Sequence, residues 1–123
     1  MAIDNFLTAG FRLFRFPLQI AGSYGEETAT GDIQMTAKSS QFLRIDPGGA
    51  SRNVDLPGPD EGLADNNGRQ YMIVNTADAA EDLTVRDPSG ATVAVISQNE
   101  RCSFIGTGAA AWQHLGIETI ALS

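Results

Sequence analysis

The chain has 123 residues, 42% of them hydrophobic, with one cysteine and a net charge of −7. That length suits a single domain with a sizeable core, and the lone Cys102 excludes an internal disulfide. The acidic balance argues against nucleic acid as a partner, because phosphate binding needs a basic surface. No membrane span is expected either: Arg12, Arg15 and Pro17 interrupt the only apolar region, and a spanning helix needs about 20 apolar residues. The first residues carry no basic leader followed by a continuous apolar run, so no signal peptide is expected.

Residues 1–22 hold four of the six phenylalanines, Phe6, Phe11, Phe14 and Phe16, with Leu7, Leu13, Leu18 and Ile20 between and after them. Leu7, Phe11, Phe14 and Leu18 have helical spacing, whereas Phe14, Phe16, Leu18 and Ile20 alternate with Arg15, Pro17, Gln19 and Ala21. Pro17 would break a helix but tolerates an extended edge segment. Residues 12–21 therefore read as extended, and residues 3–10 as irregular or a short helix. The segment is either the first strand of the body or an arm that packs on a neighbouring subunit or another protein. The arm is the reading adopted. Burying four rings at about 150–250 Å² each and about 25 cal/mol/Å² yields roughly 15–25 kcal/mol before association and ordering costs.

GSYGEETATGD, residues 22–32, reads as a linker or exposed loop. Ile33 to Thr36 offers a weak strand and QFLRI, Gln41 to Ile45, a better one. Asp46-Pro47-Gly48-Gly49 is a strong turn signal, and Arg52 to Leu56 follows with Val54 and Leu56 on one face. These two strands are expected to pair as a hairpin. In PGPDEGLADNNG, residues 57–68, the acids and amides Asp60, Glu61, Asp65, Asn66 and Asn67 lack the spacing of a helix-loop-helix calcium site, so a solvated loop is expected.

From Arg69 onward short strands follow one another closely. RQYMIVN is apolar on both faces and suits a central strand. Leu83 and Val85 are expected to point in, and Asp87-Pro88-Ser89-Gly90 fits a type I turn closing a hairpin. Val93 and Val95 are expected to pair back across it. Cys102 and Phe104 continue the inward pattern, Cys102 as a small buried hydrophobe because no cationic partner is near in sequence. Trp112 anchors the core, His114 packs on the same face, and GIETIALS, residues 116–123, adds a strand or reaches a neighbour. The reading is an all-β fold: a single antiparallel β-sandwich or barrel-like domain over residues 25–123, with an extended N-terminal arm over residues 1–24.

A catalytic set is not apparent. His114 is the only histidine and Cys102 the only cysteine, so one chain cannot assemble the usual nitrogen- and sulfur-ligated zinc site. Neither a phosphate-binding glycine motif nor a zinc-protease motif occurs. Carboxylate pairs carry no information among fifteen acids. Enzymatic activity, a cofactor and a resident metal are therefore not expected.

The phrases IDPGGASRNVDLP (45–57), YMIVNTADAAEDLTVRDPSG (71–90), TVAVISQNE (92–100) and the GAAAW ending at Gly108 to Trp112 resemble a β-module of tailed-bacteriophage virion proteins, in particular capsid decoration (cement) and head-fibre proteins. The resemblance spans Phe42 to Trp112 and stops short of residues 1–22. It implies a compact β body that assembles as a homotrimer, binds the major capsid protein on the outer surface of the head and stabilises the shell. Taken with the composition of the arm, it makes Phe6, Phe11, Phe14 and Phe16 candidate apolar anchors, with Arg12 and Arg15 as their charged partners at a capsid or subunit interface. A tail or baseplate component is the alternative, followed by a host-glycan-binding head-fibre or tail-fibre module. The last would need exposed aromatics in the body, whereas the pattern places most of Phe42, Tyr71, Phe104 and Trp112 inside.

Overall fold

The computed structural model describes residues 23–120. These form β1 (Tyr24–Thr28), β2 (Ile33–Gln34), β3 (Phe42–Asp46), β4 (Arg52–Asp55), β5 (Gln70–Asn75), β6 (Leu83–Arg86), β7 (Thr92–Ile96), β8 (Glu100–Gly108) and β9 (Ala111–Thr119), with one 3-10 turn at Pro59–Glu61. One sheet has the order β1-β3-β5-β8-β9 and the other β2-β4-β6-β7.

Up to β6 the chain alternates between the two sheets, so β1–β2, β3–β4 and β5–β6 are three successive coils that stack on one another. Every ladder between coils is parallel. Tyr24 lies beside Phe42 and Phe42 beside Met72 in one sheet, and Ile33 beside Val54 and Val54 beside Val85 in the other. The β6–β7 hairpin then reverses the direction. β7 runs antiparallel to β6, β8 antiparallel to β5, and β9 folds back on β8. A fourth coil, β7–β8, thus winds back from the second sheet to the first.

The fold is nearly all β, as expected, but both sheets are mixed and neither closes into a barrel. The expected hairpin of β3 and β4 is replaced by a crossover. The turn after Asp46 is as tight as its residues suggest: the Asp46 Oδ1 accepts from the Gly48 N–H at 2.9 Å. Gly48 has φ +76°, and a Cβ there would meet the Ala29 carbonyl oxygen at 2.2 Å. Such a turn must be glycine, and it sends the chain to the opposite sheet. The expected loop at 22–32 contains β1. This strand has no buried face of its own and is held by its parallel ladder to β3.

One core cluster joins the inner residues of both sheets: Leu43, Ile45, Tyr71, Ile73, Cys102 and Phe104 from the first, and Val54, Leu56, Leu83, Val85, Ala94 and Ile96 from the second. Full burial of each large apolar side chain stabilises by about 1.5–3 kcal/mol before entropic costs. β5 occupies the middle of its sheet, with Ile73 and Val74, on opposite faces, both buried. Leu83 and Val85 point in as expected, but their partners are Ile96 and Ala94 rather than Val95 and Val93. A register shift between Val85 and Arg86 moves the pattern of β7 by one residue.

Trp112 is 8% exposed. Its indole N–H donates to the Pro57 carbonyl at 3.1 Å, and its ring packs at 5.6 Å from that of Tyr71. Further along β9 the side chains are exposed, His114 included, which corrects its expected packing role. β9 is the last strand of the wider sheet, and β7 is its neighbour in the second sheet. Gly116 to Thr119 extends β9 instead of forming a separate strand.

Candidate interaction surface

On the outer face of the first sheet the cross-strand neighbours Tyr24, Phe42, Met72 and Ser103 stand in one row. Leu115 completes it on β9: its neighbour His114 pairs with core-facing Phe104, so strand alternation turns Leu115 outward. Three members are large and exposed: Tyr24 at 56%, Phe42 at 37% and Leu115 at 58%. Tyr24 and Phe42 stack with ring centres 5.7 Å apart. Scattered exposed hydrophobics are ordinary, but a contiguous row marks a candidate contact surface.

The next row on the same face is charged. It runs Glu26, Arg44, Val74, Arg101 and Glu118. Both Nε and Nη2 of Arg101 donate to the Glu118 Oε1, at 3.1 and 2.9 Å. The Tyr24 hydroxyl donates to the Glu26 carboxylate at 2.6 Å. That bond, more than desolvation, pushes the phenol above its ordinary pKa. The ring therefore stays neutral and hydrogen-bonded through the physiological range. An apolar row bordered by charges of both signs is a candidate contact surface.

A second charged feature lies on the outer face of the other sheet. Arg86 grips Asp55 through two bonds, at 2.6 and 2.8 Å, across the β4–β6 ladder. Next to it, Asp32 accepts from the backbone and side-chain amides of Asn53, which hold its carboxyl below the usual range. These contacts tie the first three coils together.

Asp46, Asp78 and Glu81 bring carboxylate oxygens within 4.8 Å of one another. Two of the three serve the adjoining loop, Asp46 accepting from Gly48 N–H and Glu81 from Gly49 N–H. In the 57–68 loop, Glu61 accepts from Gly58 N–H and Asp65 from Asn67 N–H. Asn66, expected in solvent, is fully buried, and its amide donates to the Ala111 carbonyl. Cys102 is 1% exposed, and burial pushes its thiol up.

Phe6, Phe11, Arg12, Phe14, Arg15 and Phe16, the candidate interface residues, lie outside the described residues. The row on the first sheet was missed in the sequence because Tyr24 sits in a stretch with loop composition. Of the four body aromatics, Tyr71, Phe104 and Trp112 are buried and Phe42 is exposed, which the sequence pattern did not distinguish. No protein-family model matches the chain, and no curated protein aligns with it.

Proposed function

We propose that this protein is a structural component of a phage virion, a cement protein that binds the major capsid protein on the outside of the head as a homotrimer and stabilises the shell mechanically. The observation that carries this reading is the exposed row from Tyr24 to Leu115 on a two-sheet, sandwich-like body. Adhesion needs a stiff platform and an apolar contact surface. Three stacked coils followed by three antiparallel strands supply the platform, and the row supplies the contact. The resemblance of residues 42–112 to phage virion β-modules gives the class of partner. Phe6, Phe11, Phe14 and Phe16, with Arg12 and Arg15, are proposed to add contacts beyond the body.

Adding the purified protein to shells that lack it should raise the temperature at which they release DNA, in proportion to occupancy, until the sites are filled. An unchanged release temperature at saturating protein would rule out the cement role. The exposed Tyr24–Phe42 pair favours one second reading, a host-glycan-binding module. Binding of host surface polysaccharide that is lost in Tyr24→Ala would support it.

A further inference from the structure

We propose that Asn67 is a site of spontaneous deamidation, held in check by the closed turn that leads into β5 and released when that turn opens. The chemistry needs no partner and stands independently of the capsid reading. Asn67 is the only asparagine in the chain followed by glycine, and its side chain is exposed. Lacking a Cβ, Gly68 lets its backbone nitrogen approach the preceding side chain closely. In the reaction the Gly68 nitrogen gives up its proton to solvent base and bonds to Asn67 Cγ. The side-chain nitrogen takes a proton from water and leaves as ammonia, closing a five-membered imide ring. Water then opens the ring at one of its two carbonyls. The product at position 67 is an aspartate, or an isoaspartate whose main chain runs through the β-carbon.

The folded turn opposes the first step. Arg69 N–H donates to the Asn66 carbonyl at 2.9 Å, and Gly68 has φ +78° while Asn67 stays at negative φ, which is a type II turn. Gly68 N–H, the group that must lose its proton, donates to the Gly106 carbonyl at 2.9 Å. Asn67 N–H is held in turn by the Asp65 Oδ1 at 3.1 Å. The attacking nitrogen is thus fixed to β8 and has to be freed by local opening before it can reach Cγ.

The surroundings decide what the modification does. Gly106 N–H donates to the Arg69 carbonyl at 2.8 Å, so Gly68 and Arg69 clasp Gly106 from both sides. Asn66 is fully buried, and its carbonyl oxygen lies only 2.0 Å from where a Cβ on Gly106 would stand. An isoaspartate adds one main-chain atom between Asn66 and Gly68, at a place with no slack. The clasp on Gly106 and the Asn66 bond to the Ala111 carbonyl then cannot all be kept, and the β8–β9 hairpin loses its tie to the 57–68 loop.

The test follows amide-to-acid conversion of the full chain in mildly alkaline buffer, by peptide mapping with chromatographic separation of the two isomers. Conversion at Asn67 should be at least tenfold faster in denaturing urea than in native protein, because only the open turn reacts. In native protein, Asp65→Ala, which removes the bond to Asn67 N–H, should convert severalfold faster than wild type, and Asn67→Gln should show no conversion at this position. Equal rates in native and unfolded protein would overturn the proposal. So would an Asp65→Ala rate equal to wild type, or unfolded protein in which Asn53 or Asn99 converts before Asn67.

Discussion

Asn75 ties the first sheet to the second and to the loop that joins them. It is fully buried at the end of β5. Its amide donates to the Glu81 carbonyl at 2.8 Å and to the Ile96 carbonyl at 2.9 Å, and its Oδ1 accepts from the Ala77 N–H at 2.9 Å. Asn75→Ala leaves one donor and two acceptors of the backbone without partners. A buried polar group stripped of its partner costs about 1–3 kcal/mol. Some relaxation of the 76–82 loop toward solvent should limit the total to about 3–5 kcal/mol. Against a stability of about 5–15 kcal/mol for a domain of this kind, that is a large fraction. The assay is urea unfolding followed by the fluorescence of Trp112, the only tryptophan. With a slope of about 2 kcal/mol/M, the midpoint should fall by roughly 1.5–2.5 M at unchanged slope. A loss below about 1 kcal/mol would show that the three bonds are readily replaced by water, and Asn75 would not be the tie between sheets described above.

Other outcomes follow from the same structure. Gly106→Ala would place a Cβ 2.0 Å from the Asn66 carbonyl oxygen and should destabilise by at least about 3 kcal/mol, whereas Gly31→Ala, with nothing within 4 Å, should leave the thermal midpoint within a degree or two. Asp87 is held below its ordinary pKa first by the Ser89 hydroxyl and then by the backbone N–H groups of Ala91, Ser89 and Gly90. A depressed folded-state pKa contributes stability above the unfolded value of about 3.9 and loses it as pH falls through the folded value. Wild type should thus exceed Asp87→Asn in urea midpoint at neutral pH, and the two curves should converge in acid; a gap that stays constant with pH would contradict this. The Cys102 thiol, buried with its pKa pushed up by desolvation, should react with an aromatic disulfide reagent at least a hundredfold more slowly in native protein than in denaturant.

Side-chain pattern made parts of the fold legible, and backbone pairing hid the rest. The Asp87–Gly90 turn marks the β6–β7 hairpin, and the two-sided apolar run of β5 marks the centre of its sheet. Both are local signals. The coiled arrangement is not local, because partners such as Tyr24 and Phe42, or Phe42 and Met72, come from different coils. β1 has almost no apolar alternation to announce it, so its glycines and acids read as a loop. The Asp46–Gly49 turn was evident, but a turn signal does not say whether the chain returns to its own sheet or crosses to the other. His114 misled for a related reason: its period from Trp112 is right, yet the opposing sheet is one strand narrower. The candidate contact surface was half legible. The four phenylalanines of residues 1–22 stand out in the sequence, while the Tyr24–Leu115 row exists only once five strands lie side by side.

Co-sedimentation with undecorated heads of the cognate phage tests the central claim most directly, comparing the wild-type chain with Phe42→Asp and with a chain beginning at Gly25. Wild-type protein should pellet with heads to a saturating, stoichiometric level, and Phe42→Asp and the shortened chain should each bind at least tenfold more weakly. Correctly folded wild-type protein that stays in the supernatant at every concentration would contradict the account.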